Sequence, residues 1–362
     1  MSEQTGLAVY PRLKEFDSEV EFVEHVERVD GCTTKQLISS PRDITLTKDG
    51  RLAANGFRLT SLAFKQLCQF TAKGLYGLVA DIGAVDINAR SLDQFTSPAL
   101  AADIINKVVE LRFHVQDGIS AKALILNADS KTVDGLVGAR YRYVPHHQLY
   151  DSVKECMTTT SDIPVFKRGL VAGRRCAFTL ASQQPHTTPS GYTLARCAYF
   201  TNSEAGEAGI HATAGIVIDD TYCAIDSAHM RHIAHSNSDF DARLTNLVSQ
   251  TVRQYSGIAL AGYGSRLEEN LGVVVDRAVS KSVRKKLVGD VATAVGQALA
   301  EQVIRKAIFQ GADRTTTPAQ VSLVDIAQRT KRDLVILLCR EGEGRNHTTR
   351  EALEGAAFQI IV

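Results

Sequence analysis

The sequence has no tryptophan, and aromatic residues make up only 6% of it. The absence of tryptophan removes a good stacking residue from any nucleic-acid hypothesis. The sequence also lacks an excess of charge of one sign. It has 41 Lys and Arg and 40 Asp and Glu, which gives a formal net charge of +1. This balance excludes a global attraction to polyanions, so any site for a polyanion must be a local patch.

Paired cysteines and long hydrophobic runs are missing as well. The seven cysteines are scattered and odd in number, which is unlike a disulfide framework, so we expect reduced core thiols. No apolar run reaches the roughly 18 residues needed to span a bilayer. The first residues, MSEQTGLAVYPRLKEF, lack the basic-then-apolar layout of a signal peptide. We therefore expect a cytoplasmic protein with no membrane partner.

Motifs of the common enzyme classes are not found either. The sequence contains no Cys-x-x-Cys pair, no His-Glu-x-x-His helix, no Gly-rich nucleotide loop with its lysine and no Ser-His-Asp spacing. We predict no cofactor and no metal, and the sequence leaves open whether the protein is an enzyme.

A chain of 362 residues, 44% of them hydrophobic and 22% charged, is long enough for more than one core. Short strand patterns with turns fill residues 163–225, and helical patterns lie on either side. We predict an α+β fold with mixed or antiparallel sheets, packed helices and a helical C-terminal region. The predicted segments are an N-terminal extension (1–50), an α+β subdomain (51–160), a β-rich subdomain with a closing helix (161–260) and the helical C-terminal region (261–362).

Periodicity and capping residues place the main elements. The predicted helices run from Thr60 or Ser61 to Lys73, from Pro98 after the cap Ser97, from His146 or His147 to Met157, and from Asp239 to Tyr255. Predicted strands cover 121–128 and 136–144. The apolar run Leu334–Cys339 suits a buried strand or a subunit interface.

Within the strand predicted over 136–144, alternation places Arg140 and Arg142 on one face and Tyr141 and Tyr143 on the other. An arginine face on a sheet could bind backbone phosphates, and the tyrosines could stack on bases. The simpler interpretation has the tyrosines packed inward and the arginines solvated.

Two further groups of cations are candidate nucleic-acid contacts. Lys167, Arg168, Arg174 and Arg175 flank a turn region at 169–173, in a hairpin-like unit. A second cluster lies in a predicted long helix and consists of Lys281, Arg284, Lys285 and Lys286. Solvated like-charged pairs would give the same pattern in both places.

Polar groups are densest between Arg196 and His235. The sequence predicts an exposed polar turn at 202–206 and a hairpin whose loop carries Asp219 and Asp220. His229, His232 and His235 follow at steps of three, which drift about 60° around an α-helix at each step. A metal site with nearby Cys223 and Asp226 is one interpretation. The other is that the histidines are partly exposed and orient a turn or contact an acidic partner.

The same stretch resembles the phage/plasmid-like protein family that carries the domain of unknown function numbered 932. The resemblance rests on Asn-Ser-Glu at 202–204 followed by Gly, an extended run, Cys223 and Arg231-His232 ahead of an amphipathic helix. The segments at 59–67, 137–144 and 147–150 are similar too. After the Cys this chain has Ala-Ile where members commonly have Asn-Gly. The resemblance spans roughly 52–255 and implies a mobile-element setting in a bacterial host, with no established reaction.

These observations support three hypotheses. The first is a phage- or plasmid-type protein that binds nucleic acid, with single-stranded DNA as a candidate, through the cations and tyrosines named above. The second is a self-assembling structural protein, with a homo-oligomer driven by the C-terminal helices and the apolar tail. The third is a metal-dependent hydrolase that uses Glu204, Asp219, Asp220 and Asp226 with the histidines.

Overall fold

The computed structural model describes the strands and helices of the fold over residues 8–9, 12–81, 98–115, 122–189, 191–235, 239–271, 274–275, 292, 296–300, 329–342 and 347–361. In chain order, the strands are β1 (Ala8–Val9), β2 (Leu13–Phe16), β3 (Thr33–Leu37), β4 (Arg58–Thr60), β5 (Lys122–Asn127), β6 (Thr132–Gly138), β7 (Val165–Ala172), β8 (Arg175–Ala181), β9 (His186–Thr187), β10 (Thr193–Ser203), β11 (Ile210–Ile218), β12 (Tyr222–Ile225), β13 (Arg231–Ile233), β14 (Val274–Val275) and β15 (Arg329–Thr330). The helices are α1 (Glu19–Gly31), α2 (Ser61–Thr71), α3 (Leu75–Asp81), α4 (Pro98–Val115), α5 (His146–Met157), α6 (Phe240–Gly257), α7 (Leu260–Leu271), α8 (Lys331–Gly342) and α9 (His347–Ile361).

The first sheet is mixed and has the strand order β1-β4-β6-β5-β3. Its β1–β4 and β4–β6 pairs are parallel, whereas β6–β5 and β5–β3 are antiparallel. Helices α2, α3 and α4 pack on it around a core that includes Phe64, Leu67 and Ile105. Helix α2 begins after Thr60, whose hydroxyl accepts a hydrogen bond from the Ala63 N–H and so caps it.

The second sheet is antiparallel, with the order β12-β11-β10-β8-β7-β2, and β9 and β13 pair at its margins. Both of its faces are buried, because alternate residues of β8 and β10 belong to different clusters. Phe178 and Phe200 stack at 5.4 Å in the larger core, while Ala177 and Tyr199 belong to a smaller one. Burial on both faces explains why these strands read as continuous apolar runs.

The predicted α+β architecture, with mixed and antiparallel sheets and C-terminal helices, is confirmed. The helices predicted from Thr60, Pro98, His146 and Asp239 are present. The division into four segments stays a prediction. Three strand pairs cross its first boundary, at residue 50, because β1 pairs with β4, β2 with β7 and β3 with β5.

Two local predictions are wrong. The run Leu334–Cys339 lies in helix α8, and Val335 and Leu338 are buried against the chain's own core. A short apolar run has no period that separates a strand from a buried helix, so packing decides. The strand predicted over 136–144 begins earlier, at Thr132, and ends at Gly138. Among the described helices, none is long and apolar enough to cross a membrane.

Candidate functional site: a polar cleft at a hairpin turn

Strands β7 and β8 form a hairpin with the two-residue turn Gly173-Arg174, since Ala172 pairs with Arg175. Gly173 has a φ of 58°, which a residue without a Cβ adopts at little cost. A positive φ at the first central position is typical of the type II′ turn, whose twist matches that of the strands. The turn is therefore tighter than the predicted 169–173 region, and it places two arginines side by side at the end of the hairpin.

The side chain of Arg174 is 1% exposed and ties three elements together. Its Nε donates to Asp134 Oδ2 of β6 at 2.5 Å. Its Nη1 donates to Glu204 Oε2, after β10, at 3.1 Å, and to the Val29 carbonyl of α1 at 3.4 Å. Arg174 thus joins the first sheet to the second through buried charge-assisted hydrogen bonds.

The turn at 202–206 is buried at Asn202, Ser203, Glu204 and Ala205, so the prediction of an exposed polar turn is wrong there. Glu204 Oε1 accepts a hydrogen bond from the His146 N–H at 2.8 Å, and Asp30 Oδ2 accepts one from the His147 N–H at 3.0 Å. These N–H groups begin α5, whose capping residue Pro145 has no side-chain hydrogen bond. Two distant carboxylates therefore take the place of a capping side chain.

Burial, together with the neighbouring Asp30 carboxylate, raises the pKa of Glu204 well above its usual value. Burial acts to raise the pKa of Asp30 too. Hydrogen bonds with Glu204 and His147 outweigh this effect, and the pKa of Asp30 is lowered. The two neighbouring groups are thus shifted in opposite directions, which favours a protonated Glu204 beside an ionised Asp30. The negative charge facing Arg174 is correspondingly smaller than a count of carboxylates suggests.

Arg175 connects the hairpin to α9. Its Nη2 donates to Glu351 Oε2 at 3.2 Å, and its Nη1 donates to the Thr348 hydroxyl at 3.0 Å. The Tyr199 hydroxyl donates to Glu351 Oε1 at 2.9 Å. Burial raises the pKa of Glu351, and the ion pair with Arg175 opposes that rise.

A cleft of about 440 Å³ lies at this turn, and we name it the turn cleft. It is lined by Thr60, Ser61, Leu62, Asp134, Ala172, Gly173, Arg174, Arg175, Glu207, His347, Thr348 and Thr349. The first residues of α2 and of α9 thus meet at one place, and neither helix has an acidic residue in its first turn. Helix N-termini carry partial positive charge and N–H donors, which makes such a place favourable for anions.

Two arginine nitrogens of the turn cleft have no hydrogen-bond partner among the described residues. They are Arg174 Nη2 and Arg175 Nε, both fully buried atoms. An uncompensated buried donor costs roughly 1–3 kcal/mol, and more for a charged group. His347 is 3% exposed, and burial lowers its pKa to about 3, so its imidazole is neutral near pH 7. Asp134 and the exposed Glu207 are the acids of the lining.

The remaining predicted contact residues lie elsewhere. Arg140 and Arg142 are exposed, as in the simpler interpretation, but they follow β6 and are not on a strand. Arg142 forms an ion pair with Asp241 at 3.3 Å. The Tyr141 hydroxyl donates to the Ser203 carbonyl, and its ring stacks on His235 at 4.6 Å. Tyr143 is half-buried, and burial raises its pKa. Burial thus alternates over 140–143 as the simpler interpretation predicted, but the strand assignment is wrong because β6 ends at Gly138.

Lys167 and Arg168 lie toward the other end of β7, in a cleft of about 490 Å³ that we name the base cleft. It is lined by Glu15, Phe16, Asp17, Phe166, Lys167, Arg168, Gly169, Leu170, Asp220, Thr221, Tyr222, Cys223, Cys339 and Arg350. Lys167 Nζ pairs with Asp220 Oδ1 at 2.6 Å, and Arg168 Nη2 pairs with Glu354 Oε1 at 2.6 Å. The four predicted hairpin cations are therefore divided between two clefts.

The histidine cluster does not converge. His229 pairs with Asp226 at 2.8 Å in a 3₁₀ turn, His232 lies on β13, and His235 Nδ1 contacts the Arg142 carbonyl at 2.7 Å. Within the described residues, no group of three or more His, Cys, Asp or Glu is placed to hold a metal ion. Asp219 and Asp220 form the predicted β11–β12 loop, with φ of 51° and 52°.

The cluster of Lys281, Arg284, Lys285 and Lys286 lies outside the described residues. Sequence reasoning identified Thr60 and Ser61 as a helix start but not as part of a site, and it missed His347, Thr348 and Thr349. A signal was present in the last case, because a Thr pair ahead of an apolar-periodic segment is typical of a helix N-terminus.

No family model, curated protein or solved structure matches this chain. The resemblance to the phage/plasmid-like family therefore stays an expectation from the sequence.

Proposed function

We propose that this protein binds nucleic acid and that a phosphate group of the nucleic acid enters the turn cleft. The observation that carries the proposal is the meeting of two helix N-termini with Arg174 and Arg175 at one cleft. Phosphate groups bind at helix N-termini and to arginine side chains through charge-assisted hydrogen bonds. Single-stranded DNA is the first candidate, and a role in mobile-element DNA metabolism rests on the family resemblance alone.

The proposal narrows the set of contact residues. Of the six predicted cations that the structure describes, five are paired with carboxylates: Arg142, Lys167, Arg168, Arg174 and Arg175. A pair with a carboxylate leaves a cation less able to attract a phosphate over a distance. Binding then depends on a local site with several donors, and the turn cleft is the place where donors from the backbone add to those of the arginines.

Salt-dependent binding of labelled single-stranded DNA, followed by fluorescence anisotropy, tests the proposal. The expected affinity falls as salt rises from 50 to 200 mM, because phosphate contacts release counterions. Thr348→Glu adds a negative charge to the cleft in the first turn of α9, where acids stabilise helices. We expect it to weaken binding about tenfold while the protein stays folded.

Gln148→Glu is the matched control. It makes the same charge change in the first turn of α5, at an exposed residue that does not line the turn cleft. This variant should bind as the unmodified protein does. The proposal fails if no binding occurs at 50 mM salt, or if the two variants bind equally well.

The alternatives of self-assembly and of metal-dependent hydrolysis stay predictions. In the described part of the tail, Leu353, Ala357 and Phe358 are buried in the chain's own core, so these residues are not available to a second copy. Light scattering over a range of concentrations tests self-assembly, which predicts a molar mass that rises with concentration.

A further inference from the structure

We propose that the turn cleft takes a terminal phosphomonoester of a nucleic-acid strand in preference to an internal phosphodiester. This inference rests on the proposed function and names the chemical group that the same site recognises. Four observations carry it: the contrast with another helix N-terminus of the molecule, the arrangement of donors, the buried guanidinium nitrogens, and the size of the cleft.

The N-terminus of α5 shows how this protein satisfies such a position internally. Glu204 and Asp30 bring carboxylate oxygens to the His146 and His147 N–H groups, at 2.8 and 3.0 Å. At the turn cleft α2 is capped by the Thr60 hydroxyl, whereas the first turn of α9 has no acid of its own. An anion from outside the chain would supply at the start of α9 what Glu204 and Asp30 supply at α5.

Donors reach the turn cleft from three segments of the chain. These are the start of α2 with Ser61, the hairpin turn with Arg174 and Arg175, and the start of α9 with Thr348. A terminal phosphate presents three acceptor oxygens and nearly two negative charges near pH 7, since its second pKa is about 6. An internal phosphodiester has a single charge and two non-bridging oxygens. The terminal phosphate therefore offers the three donor segments more acceptor oxygens and more negative charge than an internal phosphodiester does.

The guanidinium groups add a specific demand for an acceptor. The Arg174 side chain is 1% exposed and lines the cleft, and its Nη2 lacks a partner among the described residues, as does Nε of Arg175. Carboxylates already occupy the other edges of both groups, at Asp134, Glu204 and Glu351. Both nitrogens are closed to solvent in this structure, so a phosphate oxygen in the cleft would complete their hydrogen bonding after a shift of the guanidinium groups.

The size of the cleft fits one terminal group. Pockets of roughly 300–1,000 Å³ hold small ligands, and the turn cleft, at about 440 Å³, is at the lower end of that range. When a terminal phosphate enters the cleft, the nucleic-acid chain leaves it on one side only. An internal phosphate would need space for the chain on two sides. Asp134 and Glu207 are the acids that a phosphate would face across the cleft.

Competition binding with the full chain tests the inference. The probes are one single-stranded DNA oligonucleotide with a 5′-phosphate, the same strand with a 5′-hydroxyl, the strand with a 3′-phosphate, a deoxynucleoside monophosphate and inorganic phosphate. We expect a strand with a terminal phosphate to bind at least about tenfold more tightly than the hydroxyl strand. Thr348→Glu should abolish this difference and Gln148→Glu should retain it.

The outcomes separate the two proposals. Equal binding of the 5′-phosphate, 3′-phosphate and 5′-hydroxyl strands overturns the terminal-phosphate inference and leaves nucleic-acid binding intact. Binding of the free nucleotide as tight as that of the phosphorylated strand supports the phosphomonoester and overturns a nucleic-acid ligand. No binding of any probe overturns both.

Discussion

The two ends of the β7–β8 hairpin carry the same sequence feature in different surroundings. Each end has two adjacent cations and a cleft, of about 490 Å³ at Lys167-Arg168 and about 440 Å³ at Arg174-Arg175. The base cleft is lined by three acids, Glu15, Asp17 and Asp220, and by two thiols. The turn cleft is lined by two acids, Asp134 and Glu207, and by two helix starts with hydroxyl groups and a neutral histidine.

The difference shows that a pair of cations does not by itself make an anion site. At the base cleft the side-chain charges largely compensate one another. At the turn cleft, the partial positive charges of two helix N-termini add to the charges of the arginines. A count of charged residues does not include these partial charges.

Removal of an arginine should destabilise the turn end more than the base end. Arg174→Met leaves the buried carboxylates Asp134 and Glu204 without their cation, which costs about 3–5 kcal/mol. Arg168→Met should cost less, because Glu354 keeps Arg350 at 3.0 Å. Urea denaturation measures both free energies of unfolding, and equal losses would contradict the contrast.

The packing that supports the turn cleft should not tolerate a methyl group at Gly135. An added Cβ would lie 2.7 Å from Ala205 Cβ and 2.8 Å from the Ala205 carbonyl oxygen, in the buried turn next to Glu204. We expect Gly135→Ala to lower the free energy of unfolding by about 1–3 kcal/mol.

Gly138→Ala is its control on the same strand, because nothing lies within 4 Å of the added Cβ. It should change stability by less than about 0.5 kcal/mol. If the Gly135→Ala variant is as stable as Gly138→Ala, the first sheet is not closely packed against the 204–206 turn.

The turn end should also respond to acid. The pKa of His347 is lowered from 6.5 to about 3, so its contribution to stability is present above pH 6.5 and is lost as pH falls toward 3. Between pH 7 and pH 5 this loss amounts to about 2 kcal/mol. His347→Gln should show a smaller decrease over the same interval, measured by urea denaturation at both pH values.

The smallest effect is expected at the base cleft. Lys167 pairs with Asp220, whose side chain is 90% exposed, and such pairs contribute about 0–1 kcal/mol. Lys167→Ala should therefore leave stability nearly unchanged and change the affinity for single-stranded DNA by less than about twofold. A tenfold loss of affinity would place the binding site at the base cleft.

Local patterns predicted much of the fold. Thr60, Pro98 and the apolar periods that follow them marked helices, and short apolar runs separated by turn residues marked the strands between Val165 and Ile225. These features depend on neighbours within a few residues. The ends of elements were less certain, as at Gly138, because termination depends on what the strand meets in space.

The candidate site was predicted only in part. The hairpin cations stood out in the sequence, but the starts of α2 and α9 lie more than 100 and more than 170 residues from Arg174 along the chain. Their meeting requires the second sheet to form and Arg174 to bind Asp134 and Glu204. Burial of Glu204 is likewise a property of the packed turn, which polar composition alone indicated to be exposed.

The sequence by itself determined a near-neutral α+β chain and the position of most helices and strands, because hydrophobic period, caps and turn residues act locally. Only the tertiary structure decided which cations share a cleft, which of them are neutralised and which helix ends they meet. The physical reason is that charge and hydrogen-bond compensation depend on distances between side chains and on their burial, and folding fixes both.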